Sequence, residues 1–164
     1  MTGNGLTRLA RALGRAARRR GVEIATAESC TGGGAAEAIT RISGSSTWFE
    51  RGFVTYTYIS KREMLGVKQG TLGRHGAVAE EVVREMVAGA LARSHAQVAV
   101  AVSGVAGPGG GTALKPVGTV CFAWCRKRGK PRSETVRFAG DREAVRRKSV
   151  VHALRGVLAA LARR

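Results

Sequence analysis

Acidic residues are scarce in this sequence, and long apolar runs are missing from it. Of the 164 residues, 28 are Lys or Arg and only 11 are Asp or Glu, which gives a formal net charge of +17. Such a charge raises encounter rates with anions, from nucleotides to nucleic acids. No apolar run approaches the roughly 20 residues that a membrane helix requires. The charge favours contact with an anion, a solvated basic surface explains most of these residues equally well, and we expect no membrane association.

Aromatic and cysteine residues are also few. Aromatics make up only 5% of the chain, and no repeated aromatic platform accompanies the basic residues, so we expect no dedicated nucleic-acid partner. The three cysteines are odd in number and lack zinc-type spacing, which predicts free, buried thiols in a reducing, cytoplasmic compartment. No cluster of His, Cys, Asp or Glu has the spacing of metal ligands, and we expect neither a metal nor another cofactor.

The sequence does contain a regular alternation of strand-like and helix-like segments. Hydrophobic residues make up 44% of the chain, enough for an ordinary folded core. The patterns predict helices over residues 5–20, 33–42, 60–66, 79–94 and 141–163, and strands over 21–27, 50–57, 97–103, 117–125 and 132–138. This order predicts a three-layer α/β/α sandwich with a mixed, mostly parallel sheet that has one antiparallel member. We expect one domain over residues 1–164.

The strongest chemical signal is the segment 26–33, with the sequence TAESCTGG, at a predicted strand-to-helix junction. Its glycines allow a ligand to approach the backbone, and the N–H groups of the next helix's first turn point toward such a ligand. Ser29 is the leading candidate nucleophile, since its hydroxyl can attack a carbonyl while N–H groups stabilise the oxyanion. Two alternatives remain. Ser29 as a helix N-cap fits the segment equally well, and Cys30 is a second candidate nucleophile.

A nucleophile of either kind needs a base, and the sequence offers no convincing histidine. His75, His95 and His152 lie in predicted helices or turns without an accompanying motif, which leaves a lysine. Lys61 follows the second predicted strand, and reactive groups gather at the carboxyl ends of strands in α/β sheets. Burial and nearby positive charge would lower the pKa of this lysine enough for it to act as a base. The alternative is a solvated lysine at the start of a helix.

Two tyrosines precede this lysine. If the second strand is regular, Tyr56 and Tyr58 lie on one face, where one hydroxyl could bond to the serine or relay a proton. The alternative is a tyrosine that fills the core with its hydroxyl satisfied.

The glycine-rich segment 103–112 follows the predicted central strand. It lacks the Gly-Lys-Ser/Thr ending of a phosphate-binding P-loop, but glycines such as Gly104 and Gly107 could form a backbone cradle for a smaller anion. A flexible surface loop is the alternative. Near the start of the last helix, helical spacing places Arg142 and Arg146 on one face, where they could clamp a phosphate. Solvated surface charges are the alternative there.

Short motifs along almost the whole chain occur in an order that resembles the CinA C-terminal domain family. They are residues 26–33 (TAESCTGG), 44–46 (GSS), 48–56 (WFERGFVTY), Lys61, 66–67 (GV), 75–78 (HGAV), 103–108 (SGVAGP), 115–119 (KPVGT) and 140–142 (GDR). Each motif alone is weak, but the ordered set is specific. Longer members of the family have a further N-terminal domain, which we expect to be missing here.

Stand-alone members of this family are nicotinamide mononucleotide deamidases. The resemblance therefore implies an amidohydrolase that converts nicotinamide mononucleotide to nicotinic acid mononucleotide and ammonia in pyridine nucleotide salvage. It implies Ser29 as the nucleophile, Lys61 as the base or proton shuttle, and Tyr56 in an assisting role. As substrate-binding residues we predict Thr31, Gly32, Gly33, Ser103, Gly104, Gly107 and Arg142. We expect a small nucleotide substrate and a homo-oligomeric protein.

Tyr58 departs from the family pattern, in which asparagine is common, and this bears on substrate affinity or specificity. Two alternative functions remain open. One is a basic nucleic-acid or protein-interaction module of a competence or DNA-damage response, which the +17 charge supports. The other is hydrolysis of a different amide-bearing nucleotide, since no residue identifies the pyridine ring.

Overall fold

A five-stranded sheet lies between two layers of helices in the computed structural model, which describes residues 3–162. The helices are α1 (Gly3–Arg20), α2 (Gly34–Thr40), α3 (Tyr58–Leu65), α4 (Gln69–His75), α5 (Glu80–Ala92) and α6 (Arg142–Ala162). The strands are β1 (Ile24–Glu28), β2 (Phe49–Val54), β3 (Val98–Gly104), β4 (Thr119–Arg126) and β5 (Arg132–Arg137). A short 3₁₀ helix, Ser45–Thr47, precedes β2. The last predicted helix ends at residue 163, which lies outside the described residues.

The strand order is β2-β1-β3-β4-β5, and β1 lies parallel to both of its neighbours. β4 is antiparallel to β3 and to β5, so within the described sheet it alone runs against the other strands. The predicted α/β/α fold, with a mostly parallel sheet and one antiparallel member, is therefore confirmed. In this arrangement the carboxyl ends of β1, β2 and β3 meet at one end of the sheet, where α/β proteins place their sites.

The two faces of the sheet carry side chains of different size. Toward α1, α2 and α6 the strands present large residues such as Ile24, Val100 and Phe122. Toward α5 they present small ones such as Ala25 and Ala99. Side chains alternate between faces along a strand, so each strand contributes to both cores. Because both faces are covered, β3 is an almost continuous run of buried residues.

Helix α4 was not predicted from the sequence. Its seven residues include two glycines and show no apolar stripe. A tertiary contact holds it, because the Glu85 carboxylate on α5 accepts hydrogen bonds from the Lys68 N–H at 2.8 Å and the Thr71 hydroxyl at 2.7 Å. A contact of this kind stabilises a short helix in place of a periodic pattern.

Strand β2 ends at Val54, short of the predicted end at residue 57. Thr57 instead caps α3, since its hydroxyl accepts from the Ser60 N–H while the Ser60 hydroxyl accepts from the Thr57 N–H. The prediction that Tyr56 and Tyr58 share one strand face is therefore wrong, because Tyr58 is already the first residue of a helix.

All three cysteines are buried free thiols, as predicted. No helix within residues 3–162 is both long and apolar enough to cross a membrane.

Candidate active site

Ser29 and Lys61 meet where β1 and β2 end. Strand β1 ends at Glu28 and Ser29 follows it directly, while Lys61 lies in α3, the helix after β2. Because β1 and β2 are parallel neighbours, the segments after them leave the same end of the sheet. The Lys61 Nζ donates to the Ser29 Oγ at 2.9 Å and to the Thr55 carbonyl at 2.7 Å. The structure thus brings together the two groups that the sequence pairs as nucleophile and base.

The chain on either side of Lys61 fixes its approach to β1. The Thr55 N–H continues the strand pairing by donating to the Glu28 carbonyl at 2.8 Å. The Thr57–Ser60 capping box then starts α3 at once, and the Lys61 N–H closes the first turn on the Thr57 carbonyl at 3.1 Å. Only two residues therefore separate the end of the pairing from the helix that carries the amine.

Burial changes the chemistry of the Lys61 amine. The residue is 1% exposed, and its two hydrogen-bond acceptors are uncharged oxygens. Loss of hydration disfavours the ammonium and lowers the pKa of Lys61 from 10.5 to about 8, against a smaller opposing effect of the Cys30 thiol. At pH 7 about one molecule in ten then carries a neutral amine. The alternative of a solvated lysine at a helix start is wrong.

Cys30 is poorly placed to compete with the serine. Its side chain is 5% exposed, and burial raises the pKa of its thiol from 9.0 to about 12, so it stays protonated at neutral pH. A protonated thiol is a weak nucleophile. Within the described residues, no histidine ring hydrogen bonds to Ser29 or Cys30: His152 bonds to Glu134 instead.

Glu28, rather than Ser29, satisfies the start of α2. Its buried carboxylate accepts from the Thr31 hydroxyl at 2.6 Å and from the N–H groups of Ala35 and Ala36 at 2.9 Å each. The N-cap residue itself is a glycine without a side-chain cap bond. The alternative of Ser29 as a helix N-cap is therefore wrong, and its hydroxyl remains available to Lys61.

Sequence reasoning missed this role of Glu28. The signal that could have found it is a carboxylate at the end of a mostly apolar strand, just before a helix whose N-terminus lacks a polar cap.

The turn between β1 and α2 leaves specific backbone donors unused. The Ser29 N–H donates to the Val102 carbonyl at 2.9 Å, and the Gly32 N–H donates back to the Ser29 carbonyl at 2.9 Å. Within residues 3–162, the N–H groups of Thr31 and Gly33 have no acceptor. The N–H groups of Thr31 and Gly33 can therefore donate to a ligand without first breaking a hydrogen bond. The Gly32 N–H, by contrast, already donates to the Ser29 carbonyl.

Positive φ angles explain the two glycines of this turn. Gly32 has φ +59° and Gly33 has φ +92°, a region that residues with a Cβ rarely adopt. The diglycine therefore shapes the turn that carries the free donors.

Tyr56, Arg142 and Gly107 form a second cluster at the same end of the sheet. The guanidinium of Arg142 donates to the Tyr56 hydroxyl at 3.0 Å and to the Gly107 carbonyl at 2.8 Å. Arg142 thereby links the end of β2 to the glycine-rich loop, and both it and Tyr56 are exposed. The structure places the Tyr56 hydroxyl on Arg142 and gives it no hydrogen bond to Ser29 or Lys61 within the described chain.

The glycine-rich loop is shaped by close packing. A Cβ at Gly104 would lie 2.7 Å from a Val120 methyl group, and one at Gly107 would lie 2.5 Å from a Val117 methyl group. Ser103 is fully buried, and its hydroxyl donates to the Ala77 carbonyl at 2.8 Å. The Ser103 side chain therefore holds the neighbouring segment, residues 76–79, which connects α4 to α5. The predicted contact of Ser103 with substrate stays a prediction.

Tyr58 also holds this neighbouring segment. Its hydroxyl accepts a hydrogen bond from the Ala77 N–H at 3.2 Å, and its ring stays half exposed beside the site. Lys115, which lies beyond the glycine-rich segment, donates to the His75 carbonyl at the end of α4. Tyr58, which departs from the family pattern, thus contacts the segment that connects α4 to α5.

Comparisons with known proteins bear on what this site does. The CinA C-terminal domain family matches residues 6–161. The chain is 52% identical to nicotinamide-nucleotide amidohydrolase PncC of Escherichia coli K12, across 94% of this chain and 93% of that protein. It is 56% identical to the protein of the same name from Pseudomonas putida, across 93% of this chain and 95% of that protein.

A solved structure has the same fold. The competence/damage inducible protein CihA from Agrobacterium tumefaciens matches with a TM-score of 0.93 and 45% identity, over 96% of both chains. The family match covers nearly every element that builds the site, from α1 to α6. The resemblance carried by the ordered motifs is thereby confirmed, and this chain belongs to the CinA C-terminal domain family.

Proposed function

We propose that this protein is an amidohydrolase that deamidates nicotinamide mononucleotide to nicotinic acid mononucleotide and ammonia, in pyridine nucleotide salvage. The observation that carries the proposal is the buried 2.9 Å contact between the Ser29 Oγ and the Lys61 Nζ. The substrate is taken from the Escherichia coli and Pseudomonas putida relatives, which are named nicotinamide-nucleotide amidohydrolases. These names also support the prediction of a hydrolase that acts on an amide C–N bond.

In the first half of the reaction, Ser29 attacks the carboxamide carbon of the substrate. The neutral Lys61 amine accepts the hydroxyl proton as the new C–O bond forms, and the carbonyl oxygen becomes an oxyanion. We assign the stabilisation of that oxyanion to the N–H groups of Thr31 and Gly33, which lie in the turn after Ser29 and have no acceptor within the described residues. Collapse of the tetrahedral intermediate breaks the C–N bond, Lys61 returns its proton to the leaving nitrogen, and ammonia departs.

In the second half, water replaces ammonia. The neutral Lys61 amine removes a proton from a water molecule as the water oxygen attacks the acyl carbon. The intermediate then expels the Ser29 oxygen, which recovers its proton from Lys61, and nicotinic acid mononucleotide is released. The Thr55 carbonyl holds the Lys61 amine in place throughout, through its 2.7 Å hydrogen bond.

The 5′-phosphate of the nucleotide needs a cationic contact, and Arg142 is the best-placed candidate. Its guanidinium is exposed at the same end of the sheet, and Tyr56 and Gly107 orient it. A guanidinium held in this way can form a bidentate pair with a phosphate. Tyr56 then assists by positioning Arg142, and the +17 charge attracts the anionic substrate.

The experiment that tests this function is an ammonia-release assay over a panel of amides, with EDTA present. The panel contains nicotinamide mononucleotide, its dephosphorylated riboside, free nicotinamide and a nucleotide with an aliphatic amide. We expect kcat/KM for the mononucleotide to exceed that for the riboside by on the order of 100-fold, because the riboside lacks the group that pairs with Arg142.

Other outcomes of this assay are equally clear. Release from the aliphatic amide but not from nicotinamide mononucleotide would assign the protein to a different amide-bearing nucleotide. No release from any amide would reject the amidohydrolase proposal.

A further inference from the structure

Arg146 on α6 reaches the nucleophile turn from the opposite side to Lys61. One terminal nitrogen of its guanidinium donates to the Thr31 carbonyl at 3.1 Å, across 115 residues of sequence. The same nitrogen lies against Gly32, where a Cβ would stand only 3.3 Å from it. The guanidinium is thus packed directly onto the turn that follows Ser29.

The stability of the fold does not explain this placement. The Nε of Arg146 is buried without a hydrogen-bond partner, and a buried donor without an acceptor is unfavourable. Within residues 3–162 no carboxylate forms an ion pair with Arg146, whereas the adjacent Arg147 lies 3.8 Å from Glu143. A partly buried cation without an anionic partner fits a site where negative charge develops during a reaction.

We infer that Arg146 is a positioning residue for the oxyanion of the amidase reaction: it fixes the Thr31–Gly32 peptide and places a positive charge behind it. This inference rests on the proposed function. Three contacts hold that peptide: the Thr31 carbonyl accepts from Arg146 at 3.1 Å and from the Gly34 N–H at 3.0 Å, and the Gly32 N–H donates to the Ser29 carbonyl. Of these, the Arg146 contact is the one made by a side chain. The unused N–H groups of Thr31 and Gly33 belong to the peptides immediately before and after it, so holding this peptide restricts how those groups can turn.

The charge of Arg146 also reaches the reacting end of the turn. It is one of the groups that lower the pKa of the Cys30 thiol against the larger effect of burial. Ser29 is adjacent to Cys30, so the positive charge of Arg146 also favours negative charge near the position where the oxyanion forms. Because the Arg146 guanidinium is already in place, no group has to move to stabilise the tetrahedral intermediate when it forms.

The test compares Arg146→Gln and Arg146→Lys with Arg147→Gln as the matched control. We expect Arg146→Gln to lower kcat on the order of 100-fold, with KM for nicotinamide mononucleotide nearly unchanged, because the lost interaction acts on the intermediate. Arg146→Lys should recover part of kcat, since it keeps the charge. The control should match the unmodified protein. A raised KM with unchanged kcat would overturn the inference, because it would make Arg146 a substrate contact.

A second measurement separates this inference from the proposed substrate. A fluorophosphonate probe forms a P–O bond with the Ser29 oxygen and releases fluoride, while Lys61 takes the proton, and it needs no nucleotide. We expect Arg146→Gln to label at least tenfold more slowly than the control at a temperature where both are folded by circular dichroism. Equal labelling rates would overturn the role of Arg146. Normal labelling without ammonia release from nicotinamide mononucleotide would reject only the proposed substrate.

Discussion

The Lys61 amine has lost almost all contact with water, and this decides how the site responds to pH. A base must be deprotonated to accept the Ser29 proton, and burial holds the pKa of Lys61 at about 8. We therefore expect kcat/KM to rise about tenfold per pH unit below pH 8 and to level off above it. Initial rates of ammonia release between pH 6 and pH 9.5 measure this profile. A flat profile over that range would remove Lys61 from the role of base.

The same burial makes a prediction about stability. The pKa of Lys61 is lower in the folded protein than in the unfolded chain. Burying the charged amine therefore destabilises the folded state, and this cost is fully present below pH 8. Between pH 8 and pH 10.5 the unfolded state binds more protons, and wild-type stability rises with pH. We expect the stability advantage of Lys61→Met over wild type to shrink by about 3 kcal/mol from pH 7 to pH 10.5, since the pKa falls from 10.5 to about 8.

Urea unfolding of wild type and variant at both pH values measures this change. Lys130→Met is the control, because Lys130 is exposed and its charge is solvated in both states. The free energy of unfolding of that control should differ from wild type by the same amount at both pH values. If the difference in free energy of unfolding between Lys61→Met and wild type were also the same at both pH values, the Lys61 amine would not be buried as described.

The sequence predicted the Ser29–Lys61 pair but not the groups that hold it. Both residues stand out because each follows a predicted strand, and strand ends converge in a parallel sheet. Thr55 acts through its backbone carbonyl, which leaves no mark in the residue type. Glu28 acts across the turn on α2, and a carboxylate at that spacing has no established cap signature.

Helix α2 relies on a single side chain at its N-terminus. It is seven residues long, too short to be stable by itself, and Glu28 accepts two of its N-terminal N–H groups. We expect Glu28→Ala to lower the free energy of unfolding by about 3 kcal/mol, because three donors, two of them buried, lose their acceptor. Glu37→Ala on the same helix is the control. It removes an exposed ion pair with Arg41 and should cost about 0.5 kcal/mol or less.

Urea denaturation at pH 7 measures both variants. Equal losses for Glu28→Ala and Glu37→Ala would show that the Glu28 carboxylate does not support the turn.

Elements with strong apolar patterns were predictable, and elements fixed by tertiary contacts were not. Strand β3 is predictable as a nearly continuous apolar run, because it lies in the middle of a sheet that is covered on both faces. Helix α5 is predictable from apolar residues at helical spacing, because one of its faces packs on that sheet. Helix α4 forms through contacts to Glu85, which no local pattern records. The end of β2 was misjudged since residues 55–57 favour strands, while the Thr57–Ser60 cap ends the strand in favour of α3.

The net charge of +17 bears on which anionic partners the whole protein can bind. Helix α1 contains no acidic residue and exposes one face of arginines. The arginines on this face are Arg8, Arg11, Arg15, Arg18 and Arg19, and Arg20 is exposed at the end of the helix. The described part of α1 carries no aromatic side chain on which a base could stack. The charge alone therefore predicts weak, non-specific contact with polyanions.

We expect binding to duplex DNA only at low ionic strength, with loss of binding by about 150 mM salt, since a contact made by charge alone is steeply salt-dependent. Fluorescence anisotropy of a labelled duplex across a salt series measures this. Salt-resistant binding combined with an absence of ammonia release would favour the alternative of a nucleic-acid interaction module. The expected homo-oligomeric state stays a prediction.

The most direct measurement of the central claim is the rate of ammonia release from nicotinamide mononucleotide by Ser29→Ala beside Cys30→Ala. The two residues are adjacent and both buried, so the pair separates chemistry from local packing. We predict a loss on the order of a thousandfold or more in Ser29→Ala, with Cys30→Ala remaining near wild type. Near-normal turnover in Ser29→Ala, or a collapse of turnover in Cys30→Ala alone, would contradict a serine nucleophile activated by a buried neutral lysine.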